Sequence, residues 1–92
     1  METNTATWTT KHGYDTTTIG RYTVNVWTGS PAVDLDDGYE VCDAYIPTTD
    51  REYPDGKMIV GRHRLDTKVR AKARMAALKL ALDAIAEFEA PR

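Results

Sequence analysis

A chain of 92 residues with 41% hydrophobic content is bounded to one small domain, which buries only about 60–65% of its unfolded surface. Its formal charge of −2 hides a strong polarity, because Lys57 to Lys79 holds eight Lys or Arg and one acid, Asp66, whereas Asp34 to Asp55 holds eight Asp or Glu and one base, Arg51. No run of eighteen apolar residues exists, which excludes a membrane-spanning helix, and the polar start Met1 to Thr5 lacks the basic and apolar parts of a signal peptide. The expected location is therefore cytoplasmic, and the lone Cys42 is expected as a buried structural thiol.

The segments Thr5 to Thr10 and Thr16 to Ile19 are Thr-rich and suit two early edge strands, since a branched Cβ fits a pleated surface. From Arg21 the alternation sharpens, with Tyr22, Val24 and Val26 on one side and Thr23, Asn25 and Trp27 on the other. Thr28 to Pro31 ends that strand, and Asp34 to Gly38 is a turn by composition. Tyr39 to Ile46 follows as a strand closed by Pro47, with Cys42, Ala44 and Ile46 facing one way and Tyr39, Val41 and Tyr45 the other. Pro54-Asp55-Gly56 turns the chain, so that Lys57 to Arg64 returns antiparallel.

Asp66 or Thr67 is placed to cap a helix that runs to about Glu89, before Pro91. Residues 1–66 are thus expected as mainly β-sheet and 67–89 as helix. The fold class is α+β, an antiparallel three- to five-stranded sheet with one long C-terminal helix packed on it. On that helix Val69, Ala73, Ala77, Leu80, Ala84 and Phe88 fill one arc, and Met75, Leu78, Ala81, Leu82 and Ile85 widen it past half the circumference. One sheet cannot cover so wide an arc. Either the early strands wrap the second flank, or the surplus meets a partner, including a homodimer through Leu78, Leu82 and Ile85.

Catalytic and metal patterns are missing from the sequence. The acidic run starting at Asp34 has Tyr45 where a calcium loop needs its closing carboxylate, His12 and His63 are far apart in the chain, and no nucleophile-elbow pattern occurs. A non-enzymatic binding protein without a cofactor is expected. Its basic candidates are Arg62, Arg64, Lys68, Arg70, Lys72, Arg74 and Lys79, whose density suits phosphate. Its acidic candidates are Asp34, Asp36, Asp37, Glu40 and Asp43, which suit a basic protein surface, and its aromatic anchors are Trp27, Tyr39 and Tyr45.

The stretch Thr67 to Leu82 resembles the last helix of double-stranded RNA-binding domains, with Lys68, Ala71, Lys72 and Ala76 at the matching spacing. It departs from that pattern at Val69, where a second Lys would stand. The order of three strands and a helix is similar to the arm-binding domains of phage integrases, for which Thr23, Asn25, Trp27, Tyr39, Tyr45, Arg62 and Arg64 would be the readers. Against this stands the charge, since residues 1–66 hold six bases and eleven acids. In overall character the chain resembles small phage-encoded anti-CRISPR proteins. That resemblance implies an inhibitor acting in the cytoplasm of an infected bacterium. It would bind the Cas protein subunits of a guide-RNA surveillance complex, together with its guide RNA, and block access of target DNA. The alternative is a direct DNA- or RNA-binding accessory protein.

Overall fold

The computed structural model describes residues 6–29 and 38–91. Its elements are β1 (Thr9–Lys11), β2 (Tyr14–Ile19), β3 (Tyr22–Thr28), β4 (Glu40–Ile46), β5 (Lys57–Arg64) and α1 (Arg70–Phe88). The strands form one antiparallel meander in the order β1-β2-β3-β4-β5. This is the α+β class expected, with the strand count at the upper end.

Local chemistry accounts for the tight turns. Lys11 pairs with Tyr14 across His12 and Gly13, whose φ values of 54° and 86° have the sign that a two-residue hairpin demands at both central positions. Ile19 pairs with Tyr22 across Gly20 and Arg21, and Gly20 supplies the positive φ of 58° at the first central position. His12 therefore lies in a turn at one end of the strand order while His63 lies on β5 at the other, which rules out an acid–base pair between them.

The core sits between the sheet and α1. Val24 and Val26 of β3 and Cys42 and Ala44 of β4 meet Ala73, Ala77 and Ala81 of the helix, with Leu65 at the end. Alanines at this spacing form a flat stripe that lets the helix axis approach the sheet closely, and the branched valines fill the space between. Trp8, Ile19, Val60, Leu80 and Ile85 pack around the rim of this cluster. Trp8 ahead of β1 and Ile19 of β2 thus add to the cover of the core from the N-terminal half, and Leu78 is buried within the molecule. Of the three residues expected to join two copies, Leu78 is used internally and Leu82 and Ile85 are half-buried. Met75 is the helix residue left out, at 66% exposure.

The helix begins three residues later than the sequence suggests. Leu65 N–H donates to the Glu40 carbonyl at 2.7 Å and Glu40 N–H to the Thr67 carbonyl at 2.9 Å, so the backbone through Thr67 continues the pairing with β4. Neither Asp66 nor Thr67 caps α1. Val69 occupies the N-cap position at φ −104°, ψ 117°, without a side-chain bond to the helix, while the Thr67 hydroxyl accepts the Val69 N–H at 3.1 Å.

Candidate binding surface

Alternation along β2 and β4 sends two carboxylates toward the helix rather than to solvent. Asp15 is 1% exposed and Glu40 is 3% exposed, and both face the start of α1. Arg74 binds Asp15 through Nε and Nη2 at 2.7 and 2.6 Å. Arg70 lies 3.3 Å from Asp15 and is also paired through Nε with Glu40. Thr10 donates to Asp15 and Thr28 to Glu40, each at 2.7 Å. Burial pushes the Asp15 carboxyl up, but the Thr10 and Arg74 hydrogen bonds and the two guanidinium charges outweigh it and leave it below its ordinary value. Arg70, Arg74 and Glu40, expected at a partner surface, instead tie the helix to the sheet. The physical reason is that a buried carboxylate must be paired, and the first helical turns present the nearest guanidinia.

Among the described residues, the opposite sheet face carries no helix. Cross-strand partners share a face, so the register places Thr16, Asn25 and Asp43 in one row, Thr18, Thr23, Tyr45 and Met58 in a second, and Trp27, Val41 and Arg64 in a third. Tyr14, next to the Trp27 row, alternates onto the same side. Asn25 donates to Asp43 at 3.1 Å. Burial raises the Asp43 carboxyl, opposed by that hydrogen bond and by the charge of Arg62. Tyr39 lies at the edge of this face, with the Arg64 guanidinium 4.3 Å and the Lys68 ammonium 4.8 Å from its ring centroid. The expected anchors Trp27, Tyr39 and Tyr45 and the bases Arg62, Arg64 and Lys68 therefore come together on one side. Tyr14 and Met58 extend the patch. Tyr14 stands just ahead of the Thr-rich run that reads as a strand, and the face of Met58 is set by the register shifts between β4 and β5, so local alternation singles out neither.

Lys72 and Lys79 lie exposed on the helix, Lys79 paired with Asp83 at 3.3 Å. They belong to a different surface from the sheet face, so the basic block does not act as one strip. Asp34, Asp36 and Asp37 lie outside the described residues. Beyond β4, Asp50 and Glu52 are engaged by Arg21 at 3.0 and 2.7 Å, and Tyr53 packs between Arg21 and Phe88. Cys42 is buried in the core, and that burial, with the charge of Asp43, pushes its thiol up to about 11, which suits packing rather than reactivity. Among the described residues there is no His, Cys, Asp and Glu cluster that could hold a metal ion, and no helix is long and apolar enough to cross a membrane.

The arrangement defines an α+β protein in which, among the described residues, the helix covers one sheet face and no helix lies on the other. No protein-family model matches the chain, and neither a curated protein nor a solved structure matches it.

Proposed function

We propose that the protein is a non-enzymatic binding module that docks on another protein through the sheet face opposite α1. The observation that supports this reading is the composition of that face. Trp27, Tyr14, Tyr45, Met58 and arginine gather on it, the residue types enriched in interface cores, and its described acid, Asp43, is held by Asn25. In its most specific form, the partner is a guide-RNA surveillance complex whose target-DNA path the protein occupies, as the resemblance to anti-CRISPR inhibitors implies. A net charge of −2 favours a nucleoprotein partner over naked nucleic acid, whose phosphates repel a net negative domain.

The reading of a direct nucleic-acid binder draws on a separate observation. Acids that weighed against it in the sequence are withdrawn from the open face, since Asp15 and Glu40 are buried on the helix side and Asp50 and Glu52 are paired with Arg21. Affinity capture of tagged protein from bacterial lysate, with and without nuclease, separates the two. Recovery of a multi-subunit ribonucleoprotein that survives nuclease supports the docking reading. Nucleic acid alone, lost on nuclease treatment, sinks it in favour of the direct binder.

A further inference from the structure

The two ends of the sheet are unequal. The β1 end is a strand of three residues, whereas β5 presents eight residues, and among the described residues no strand pairs with its outer side. A long open edge offers a row of backbone donors and acceptors to any extended chain, and proteins ordinarily blunt such edges. β5 is blunted selectively. Its pairing with β4 is irregular at Asp43 and again between Ala44 and Tyr45. Its first half is apolar (Met58, Ile59, Val60) and its second half cationic (Arg62, Arg64), with Lys57 at the start and no acid anywhere in the strand.

Those cations repel a second β5 from another copy, yet they attract an acidic strand, so the same charges act against one occupant and in favour of another. A second observation lies at the start of the strand. A concavity of about 520 Å³ whose lining includes Tyr45, Pro47, Thr48, Asp55, Lys57 and Met58 adjoins the edge; its one acid, Asp55, lies beside Lys57, away from Arg62 and Arg64, and Met58 is 56% exposed beside it. Strand addition draws its affinity from main-chain bonds and its specificity from pockets that take alternate side chains. Edge and pocket are therefore both in place.

We infer that β5 accepts an extended segment of a partner protein as a sixth, antiparallel strand, its acidic half against Arg62 and Arg64 and its apolar half beside Met58. The inference deepens the docking reading and rests on it for the class of partner.

The test uses the full chain, labelled with nitrogen-15, and a capped peptide of eight residues to match β5. The peptide carries glutamates in its N-terminal half and alternating valine and threonine in its C-terminal half; a twin carries lysines in place of the glutamates. Slower amide exchange confined to residues 57–64 and a roughly tenfold preference for the glutamate peptide are expected, a preference that Arg62→Glu abolishes or inverts. Equal binding of the twins, protection mapped to other strands, or no protection at millimolar peptide would overturn the inference. Association of the protein with itself through 57–64 would do so as well, as would binding of single-stranded DNA there in preference to the peptide. Trp27→Ala keeps the two readings apart, because it leaves peptide affinity within about twofold while weakening capture of the partner. If the peptide binds and Trp27→Ala captures as wild type does, the edge stands and the face reading fails.

Discussion

Asp15 is the residue on which the contact between helix and sheet turns. Removing its charge by Asp15→Asn leaves Arg70 and Arg74 without the anion they share and turns one acceptor oxygen into a donor amide. Loss of one member of a buried pair is ordinarily worth about 3–5 kcal/mol, but these guanidinia keep 27% and 37% of their side-chain surface, so water compensates in part. A loss of about 2–3 kcal/mol is expected, read from the urea midpoint at pH 7. The pH dependence has a definite sign. The folded carboxyl sits below its ordinary value, so its contribution is complete above the unfolded value of about 4 and disappears as pH falls through the folded value. The acid limb of the wild-type stability curve should therefore be steeper than that of Asp15→Asn. Tyr22 works at the other end of the scale. Burial, with its bond to Glu89, pushes the phenol up to about 12. Its contribution is present below about pH 10 and lost as pH rises toward 12, and Tyr22→Phe should flatten that alkaline limb.

At the scale of elements, the start of α1 is the clearest mismatch between local and tertiary preference. Thr67 is a good cap by residue type, yet its carbonyl is taken by Glu40, and the cap position falls to Val69, half exposed at 50% and without a side-chain bond. Val69→Asp should therefore stabilise the protein by about 1 kcal/mol, raising the melting temperature by roughly 4–8 °C, because the backbone there already has the extended geometry of a cap. No gain in a thermal melt would mean that water already serves the N–H groups of the first helical turn as well as a carboxylate does. The same region shows what was readable beforehand. Alternation sorted Val24 and Val26 from Asn25 and Trp27, and the 3.6 period found Ala73, Ala77 and Ala81, because each of these residues obeys a local rule. Asp15 broke the rule by being an acid on the inward side of β2, and its partners Arg70 and Arg74 lie more than fifty residues away. Density of charge in the sequence could mark those arginines as basic but could not distinguish a guanidinium facing a partner from one facing a buried carboxylate.

For the whole molecule, this sorting divides the seven basic candidates into three populations. Arg70 and Arg74 hold the fold, Lys72 and Lys79 stand on the exposed helix, and Arg62, Arg64 and Lys68 border the open sheet face. Charge reversal should therefore act by location and not by number. Arg62→Glu changes the potential across the face that carries Trp27 and Tyr45. It should weaken partner capture by about tenfold or more and make the remaining affinity less sensitive to salt. Lys72→Glu with Lys79→Glu adds twice the negative charge, yet on the surface away from the sheet, and should leave capture within about twofold. A nucleic-acid binder that used the helix as double-stranded RNA-binding domains do would behave in the opposite way, losing affinity with the lysine pair and little with Arg62. Titrating both variants against the captured partner at two salt concentrations decides the matter, because only the face on which binding occurs yields both a lower affinity and a shallower salt slope.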